Sequence, residues 1–287
     1  MNEIVYLNGE MLPVEEAKIS VLDYGFLYGY GVFETMRAYN GHVFLLDRHI
    51  GRLHGSLEKL GIKPEGLSFE KAVTDTVKAN KLIDARVRLA VTIGEGGMVP
   101  DPASCEKPTV LVIATEYKSY TKSVYEKGFS TITSAIRRNS QSPLSRLKSA
   151  NYLESMLAKQ EAREAGVDEA IFLNDKGFVA EASMSNLFLF SSGALKTPGR
   201  ESGILPGITR EVVLELADGA GIDTIVCDIA PGELTGAREA FLTNSLMEIM
   251  PLVKVSGRAI GSGSPGPVTR GLMAAYRELV MSMTSQL

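Results

Sequence analysis

The spacing of the apolar residues changes along this chain from two to three or four and back again, without a regular alternation. Strand spacing is found at Ile4–Leu7 and again at Gly31–Ala38. Helical spacing follows at Arg48–Leu60, just before Gly61, and at Ser68–Leu82, whose first residue suits an N-cap. Because strands and helices follow one another without strict strand–helix–strand alternation, the sequence predicts α+β domains.

The length of the chain indicates more than one domain. With 287 residues, of which 45% are hydrophobic, the chain is too long for a single compact core. The segment from Glu116 to Gly128 is polar and has no clear periodicity, so an interdomain linker is expected at 119–128. The predicted domains are therefore an N-terminal α+β domain at 1–118 and a C-terminal domain at 129–287.

Further elements are predicted on both sides of this linker from the same periodicities and from turn residues at their ends. The predicted strands are Arg86–Ile93, Pro108–Thr115, Phe129–Ile136, Glu169–Leu173, Phe178–Ala182 and Leu187–Phe190, and the predicted helices are Asn151–Ala165, Ile208–Gly219 and Pro267–Ser282.

Composition excludes several classes of protein. The formal net charge is -4 with acids and bases interspersed, so no basic stripe for nucleic acid is expected. The first residues carry an acid instead of a basic n-region, and no apolar run approaches the roughly 20 residues of a bilayer span, so neither secretion nor a membrane location is expected. Cys105 and Cys227 are far apart, as reduced thiols of a cytoplasmic protein would be.

The histidines do not suggest a metal site. His42, His49 and His54 fall close together, but they lack the i, i+4 spacing of two helical ligands. They are expected to be surface or helix residues, and no bound metal is expected. A dinucleotide loop at Gly29–Gly31 is also rejected, because no third glycine follows and the pattern runs into a strand.

Three separate segments carry the strongest functional signal. They are KSANYL at Lys148–Leu153, EASMSNLF at Glu181–Phe188 and GILPGITR at Gly203–Arg210. In this order they resemble the signature of the class IV aminotransferases, a family that comprises branched-chain aminotransferases, D-amino acid aminotransferases and aminodeoxychorismate lyases. The likeness extends over nearly the whole chain, from Tyr6 to the segment around Pro251.

This resemblance implies a fold, a cofactor and an assembly. The fold is the two-domain, D-amino acid aminotransferase-like fold type IV, with a smaller N-terminal α+β domain and a larger, β-rich C-terminal α+β domain. The cofactor is pyridoxal 5'-phosphate (PLP). The assembly is a homodimer in which each active site is completed by the neighbouring subunit, and the glycine-rich loop at Gly94–Pro100, with Met98 near its tip, is the candidate interface element.

The resemblance also assigns four contacts of the cofactor. Lys148 would be the Schiff-base lysine and proton shuttle, and Glu181 would bond the pyridine nitrogen. Tyr152 would contact the phenolic oxygen, and Arg52 would bind the phosphate. A buried carboxylate needs a cationic partner, which the ring nitrogen would supply. Without the resemblance, these side chains could equally be a surface lysine, an exposed strand glutamate, a core tyrosine and a solvated arginine.

A phosphate site is indicated where a predicted helix begins. Free N–H groups and the helix dipole favour an anion at such an end, here formed by Gly207, Ile208 and Thr209. The resemblance assigns the second half of the phosphate site to three small polar residues, which are Thr243, Asn244 and Ser245.

The substrate side is predicted from one strand face and from the resemblance. Phe33, Thr35 and Arg37 share a face of the strand Gly31–Ala38, and this mixture of side chains suits a pocket wall better than a dry core. Tyr28 lies just before that strand. Arg88 resembles an arginine that some branched-chain enzymes use near the substrate carboxylate, although a solvent-facing sheet would also explain it.

Two reactions of the family remain open. The segments FETMR at 33–37 and TNSLME at 243–248 resemble aminodeoxychorismate lyases, whereas RVRL at 86–89 and DPASCEKPT at 101–109 resemble aminotransferases. Amino transfer between an amino acid, with branched-chain amino acids among the candidates, and a 2-keto acid is the first hypothesis. Release of pyruvate from 4-amino-4-deoxychorismate to give 4-aminobenzoate is the alternative. A non-catalytic PLP-binding protein is disfavoured, because both the lysine and the carboxylate are present.

Overall fold

The computed structural model describes residues 3–284 of the chain, which form two compact units. The first unit contains residues 3–118, 147–151 and 282–284, and the second contains residues 119–146 and 152–281. The chain passes to the second unit after Lys118, and Leu147–Asn151, which carries Lys148, belongs to the first. None of the described helices is long and apolar enough to cross a membrane.

The first unit is a six-stranded antiparallel sheet covered by helices. Its strand order is β2-β1-β6-β5-β3-β4. The strands are β1 (Ile4–Leu7), β2 (Glu10–Pro13), β3 (Gly31–Tyr39), β4 (His42–Val43), β5 (Ala85–Thr92) and β6 (Thr109–Glu116), and the helices are α1 (Tyr24–Tyr28), α2 (Leu46–Leu60) and α3 (Phe69–Ala79).

The core of this unit lies between the sheet and two amphipathic helices. Leu53 of α2 and Val73 of α3 pack with Met36 of β3 and Val87 of β5, all nearly inaccessible to solvent. The helix α2 ends at Gly61, which adopts the left-handed conformation with φ 69° and closes the last turn. Burial of these apolar stripes holds β3 and α2 face to face, and polar side chains at the margin of this contact form part of the candidate site.

The second unit is built on a sheet of nine described strands. Its order is β12-β11-β10-β13-β14-β7-β8-β9, and β15 pairs with β14. The strands are β7 (Phe129–Arg138), β8 (Glu169–Asn174), β9 (Val179–Ala182), β10 (Asn186–Ser191), β11 (Ala194–Thr197), β12 (Thr224–Val226), β13 (Glu239–Asn244), β14 (Glu248–Val255) and β15 (Arg258–Ala259), and the helices are α4 (Lys122–Lys127), α5 (Leu153–Glu164), α6 (Ile208–Gly219), α7 (Pro231–Thr235) and α8 (Pro267–Thr284).

The predicted α+β class is confirmed, and the strongest periodic segments were placed correctly. The helix α6 has the predicted bounds, and Ser68 accepts a hydrogen bond from Lys71 N as the predicted N-cap of α3. The helix predicted from Asn151 begins at Leu153 instead. The segment predicted as an irregular linker contains α4, and the strands from β11 to β15, the short strands β2 and β4 and the helices α1 and α7 were not predicted.

Candidate active site

Main-chain hydrogen bonds hold Lys148 on the first strand of the predicted pocket. Its carbonyl oxygen accepts from Phe33 N at 2.9 Å, and Ala150 N donates to Gly31 O at 2.8 Å. The segment 147–151 therefore pairs with the beginning of β3. The ammonium group of the half-buried Lys148 lies 4.9 Å from the centroid of the Phe33 ring.

Phe33 also contacts Arg88, so two cations meet one aromatic ring. The Arg88 guanidinium lies 3.8 Å from the ring centroid, and β5 places Arg88 directly opposite Thr35. Cations interact favourably with an aromatic face at such distances. The predicted combination of Phe33, Thr35 and Arg88 is thus brought together, with Phe33 buried and the other two half-buried.

The remaining predicted substrate residues lie at the ends of β3. Arg37 is buried, and its guanidinium lies 4.2 Å from the Tyr39 ring centroid and 4.9 Å from that of Tyr117. Tyr28, at the end of α1, is about half exposed and packs edge-on against Tyr24.

The opposite face of β3 carries a buried ionic cluster. Glu34 accepts hydrogen bonds from Arg52 Nε at 2.8 Å and Nη2 at 2.6 Å, and its Oε2 atom lies 2.7 Å from His49 Nδ1. Burial raises the pKa of Glu34, but the charge of Arg52 and the hydrogen bonds from both partners outweigh this and lower the pKa to about 2. Glu34 is thus ionised and fixes the orientation of the Arg52 side chain.

His49 is a helix residue, one of the two placements expected for the histidines, and it is not a surface residue. It lies on α2, but its side chain is buried. Burial lowers the pKa of His49, the nearby positive charges of Arg52 and Lys148 lower it further, and the hydrogen bond to Glu34 opposes them. The imidazole is therefore neutral at neutral pH, and its Nδ1–H donates to Glu34 in the tautomer that this contact requires.

In the second unit, Glu181 is a buried carboxylate at the end of β9, so the alternative of an exposed strand glutamate is wrong. Its Oε2 atom accepts from Leu205 N at 3.0 Å and from Asn186 Nδ2 at 3.3 Å. Its Oε1 atom lies 3.4 Å from Arg138 Nη2. Both oxygens are thus engaged, and the carboxylate is held in one orientation.

Tyr152 lies directly before α5 and is half-buried. Burial raises the pKa of Tyr152 to about 12, with the charges of Glu181 and Glu169 acting in the same direction and Arg138 and Ser155 opposing them. The phenol is therefore protonated at neutral pH and can donate a hydrogen bond.

The predicted anion site at the start of α6 has the backbone that such a site needs. Gly207 is the N-cap and no side chain caps the helix, while Ile208 and Thr209 are buried in its first turn. A Cβ atom on Gly207 would lie 2.0 Å from Asn186 Oδ1. A side chain at position 207 would therefore displace the Asn186 amide from its place beside the start of this helix.

Two buried hydroxyls lie next to the same asparagine. Thr243 of β13 pairs with Asn186 of β10, and Ser185 precedes Asn186 in the chain. The Oγ1 atom of Thr243 and the Oγ atom of Ser185 have no hydrogen-bond partner within residues 3–284. Orphaned buried hydroxyls on residues next to Asn186, which itself lies against the start of α6, fit the donors that a phosphate group requires.

The other two predicted residues of this loop differ from Thr243. The Asn244 side chain accepts from Leu246 N and Met247 N at 3.0 and 2.9 Å and donates to Met184 O, so it closes the turn after β13. Ser245 is half-buried in that turn. Among the residues described, no cluster of histidine, cysteine, aspartate and glutamate could hold a metal ion.

Several residues of these clusters were missed by sequence reasoning. Asn186 and Ser185 lie inside the quoted EASMSNLF segment, and a polar pair before the apolar run of β10 was the available signal. Glu34 faces inward on a strand whose other inward residues are apolar, which indicates a buried partner. Nothing in the local sequence pointed to Arg138 or to His49.

Comparison with known proteins supports one family. The model of the family described as amino-transferase class IV matches residues 31–255. A Methanocaldococcus jannaschii protein provisionally named branched-chain-amino-acid aminotransferase is 41% identical, with 96% of each chain covered. The aminodeoxychorismate lyase of Bacillus subtilis is 36% identical over 98% of this chain and 96% of its own.

The fold has solved counterparts of similar size. The branched-chain amino acid aminotransferase of Escherichia coli superimposes with a TM-score of 0.92 at 32% identity, and the match covers 97% of this chain and 95% of the other. A second branched-chain amino acid aminotransferase, solved with pyridoxamine 5'-phosphate, superimposes with a TM-score of 0.93 at 32% identity over 98% of this chain and 95% of its own. Fold type IV is therefore confirmed.

Proposed function

Because the chain belongs to the class IV aminotransferases, a PLP-dependent family, we propose that it transfers an amino group between an amino acid and a 2-keto acid with PLP as its cofactor. One observation carries the assignment of the cofactor. Asn186 donates to the buried carboxylate of Glu181 and lies against the uncapped start of α6. It pairs with Thr243 and follows Ser185 in the chain, and both of these residues carry orphaned buried hydroxyls. This donor set fits a phosphate, and the carboxylate fits a protonated ring nitrogen.

When bound, PLP supplies a ring that withdraws electrons from the α-carbon of the substrate. Glu181 would accept the hydrogen bond of the ring nitrogen, and the protonated phenol of Tyr152 would donate to the phenolic oxygen. Gly207, Ile208 and Thr209 would offer backbone N–H groups to the phosphate.

The hydroxyl of Thr243 and the turn residues Asn244 and Ser245 would complete the phosphate contacts, and Arg52, oriented by Glu34, would add a positive charge. Lys148 Nζ would hold the aldehyde carbon of the cofactor and move the substrate proton. Main-chain bonds fix the backbone of the half-buried Lys148 on β3, which suits a side chain that must reach the same substrate atom repeatedly in one geometry.

For the substrate, we propose an amino acid whose side chain and carboxylate meet the face of β3. Phe33 offers apolar surface, and Arg88 offers a positive charge next to it, with Thr35, Arg37 and Tyr28 at the margin. An apolar ring beside a guanidinium suits an aliphatic amino acid, and branched-chain amino acids agree with the names of the aminotransferase relatives.

The second candidate is the lyase reaction on 4-amino-4-deoxychorismate. It is favoured by the B. subtilis relative and by the segments at 33–37 and 243–248. The aminotransferase is placed first because the M. jannaschii relative is more similar and the E. coli aminotransferase superimposes over nearly the whole chain.

We also propose a homodimer in the cytoplasm. Four strongly exposed apolar side chains, Val21, Phe26, Met98 and Val99, lie on two neighbouring segments of the first unit. The segments are tied together, since Tyr24 Oη donates to carbonyls of the 97–99 loop. A fixed apolar patch of this kind is typical of an interface. The free thiols Cys105 and Cys227 agree with a reducing compartment.

One set of measurements tests the function. The purified protein should be yellow, and borohydride reduction should fix the cofactor covalently on Lys148. Peptide mapping would show which residue carries the cofactor. Lys148→Ala should lose both the label and the activity, whereas Lys159→Ala in the second unit should keep both. A substrate panel assayed for amino transfer to 2-keto acids and for pyruvate release from aminodeoxychorismate separates the two reactions. Full activity of Lys148→Ala without added amine would refute the assignment.

A further inference from the structure

Arg138, at the end of β7, meets one carboxylate oxygen of Glu181, and the amide donors of Leu205 and Asn186 meet the other. Its Nη2 atom lies 3.4 Å from Glu181 Oε1 and 3.3 Å from Ser155 Oγ, and its Nη1 atom lies 3.0 Å from Glu154 Oε2. The guanidinium also stacks 4.2 Å from the centroid of the Phe172 ring. With its side chain only 13% exposed, the arginine is fixed by contacts on several sides.

Arg138 offers the negative charge of Glu181 an opposite charge, which the donors Leu205 N and Asn186 Nδ2 do not. Leu205 N and Asn186 Nδ2 are neutral donors, and they contact only Oε2. A carboxylate taken out of water is unstable as an anion unless an opposite charge compensates it. Arg138 supplies that charge at Oε1 in the protein without cofactor.

The second carboxylate on Arg138 does not cancel this effect. The Glu154 side chain is 56% exposed, whereas that of Glu181 is 9% exposed. Water screens the exposed pair, so the field of the guanidinium acts mainly on the buried carboxylate. The exposed pair and the Phe172 ring instead keep the guanidinium in place.

We propose that Arg138 is a positioning residue that keeps Glu181 ionised and oriented before the cofactor binds. This inference rests on the proposed function, in which Glu181 bonds the ring nitrogen. Loss of the cation would remove an opposite charge beside a buried carboxylate, which favours the protonated form of Glu181. A protonated carboxyl group cannot meet a protonated ring nitrogen as an anion.

The first test uses the cofactor-free full-length protein. Infrared difference spectra between each protein and the same protein carrying Glu181→Gln report the protonation state of Glu181. The wild type should show only the carboxylate bands at neutral pH. Arg138→Gln should show the carbonyl stretch of a protonated acid. Arg137→Gln, the same change at the exposed neighbouring position, should behave as the wild type.

The second test uses the holoenzyme. Arg138→Gln should lower kcat at least about tenfold, because a partner of a buried charge has been removed. Arg138→Lys, which keeps the charge, should recover most of the rate. In a double-mutant cycle with Glu181→Gln, the second substitution should add little to the first, because both act on one group.

The outcomes separate this inference from the proposed function. If Glu181 stays ionised in Arg138→Gln, or if the two substitutions multiply their effects on kcat, the inference is overturned. If Arg138→Gln does not fold, the infrared spectrum of Arg138→Lys is used instead. A band of protonated Glu181 in that variant, which keeps the positive charge, also overturns the inference. A protein that binds no PLP would refute the proposed function, while the infrared comparison would still decide whether Arg138 keeps Glu181 ionised.

Discussion

Glu34 and Arg52 form a two-pronged ion pair in the first unit, in which each carboxylate oxygen meets a different guanidinium nitrogen, at 2.8 and 2.6 Å. The pair joins β3 to α2, and the Glu34 side chain is almost inaccessible to solvent. A fork of this kind fixes the plane of the guanidinium as well as its position. Its removal is therefore expected to affect both the stability of the unit and the role proposed for Arg52.

Glu34→Gln should destabilise the protein by about 3 kcal/mol at neutral pH, because it removes the buried charge that pairs with the Arg52 guanidinium. Asp75→Asn is the matched control, since it removes the acid of an exposed pair with Lys71 and should change stability by less than about 1 kcal/mol. Urea unfolding of both variants measures the difference. Equal effects of the two substitutions would contradict the importance of the buried pair.

The contribution of Glu34 should also depend on pH in one direction. Its pKa is lowered from the ordinary value of 4.5 to about 2 in the folded protein. The stabilisation is therefore fully present above the unfolded-state pKa and is lost as the pH falls from there through about 2. The stability difference between wild type and Glu34→Gln should shrink between about pH 5 and about pH 2. A difference that stays constant over this range would contradict the lowered pKa.

The sequence predicted elements well where local signals were sufficient. The helix α6 has an apolar stripe and begins directly after Gly207, so its bounds follow from the chain itself. Four strands of the second unit, β7 to β10, were also predicted, but the pairing of its strands depends on distant partners. Phe129 of β7 pairs in parallel with Leu252 of β14, and β12 is exposed and only three residues long. Neither the distant partner of β7 nor the presence of β12 is indicated by a periodic pattern in the local sequence.

The candidate site divides in the same way. Lys148 and Glu181 were predicted because they lie in recognisable segments, and their roles remain proposals. The roles of Arg138 and His49 could not be predicted, because each residue contacts a partner on another element. Arg138 contacts Glu181, and His49 contacts Glu34. The role of a buried polar residue can be assigned only when its hydrogen-bond or charge partner is known, and the fold determines that partner.

Glu181→Gln should reduce kcat far more than it reduces the affinity for PLP. The negative charge of Glu181 stabilises the ring most when electrons move into it during the reaction, and less in the resting state. We expect kcat to fall about 100-fold or more, with the dissociation constant of PLP changed only about threefold. Steady-state kinetics and titration of the apoprotein measure the two effects. Glu164→Gln, a surface change in α5, should alter neither, and equal losses in rate and affinity would contradict the role of Glu181.

Thr243→Val should have opposite effects on the apoprotein and on cofactor binding. The Thr243 hydroxyl is buried without a partner among the described residues, so its replacement by an isosteric methyl group should leave apoprotein stability unchanged or increase it by up to about 1 kcal/mol. The same change removes a phosphate donor and should weaken PLP binding about tenfold. Thermal unfolding of the apoprotein and PLP titration measure the two effects.

The control for this prediction is a threonine whose hydroxyl is already used. Thr197 donates to Leu187 O at 2.8 Å and accepts from Arg210 Nε. Thr197→Val should therefore destabilise the apoprotein by about 1 to 3 kcal/mol. If Thr243→Val behaves like Thr197→Val and leaves PLP affinity unchanged, Thr243 has no part in holding the phosphate.

Met98→Asp should weaken the proposed homodimer, because it places a charge in the centre of an apolar patch whose methionine is 85% exposed. Ile83→Asp is the matched control. Ile83 is also exposed and apolar, but it lies before the start of β5, at the end of that strand remote from the loop that carries Met98. Sedimentation over a dilution series should show dissociation for Met98→Asp only, and a wild type that is monomeric and fully active at the same dilution would contradict the dimer.

Mixed dimers test whether this loop serves the neighbouring active site. If it does, a subunit carrying Met98→Asp and an intact Lys148 should be active when paired with a Lys148→Ala subunit, whose wild-type loop reaches it. A wild-type subunit paired with a subunit carrying both substitutions should be impaired, because its neighbour's loop is altered. Loops that serve their own subunit would give the reverse order of activities. The two heterodimers are purified with a different tag on each subunit and assayed at a concentration where sedimentation shows them intact. Both pairs carry the same substitutions in different combinations, so a difference in their activities distinguishes the two arrangements.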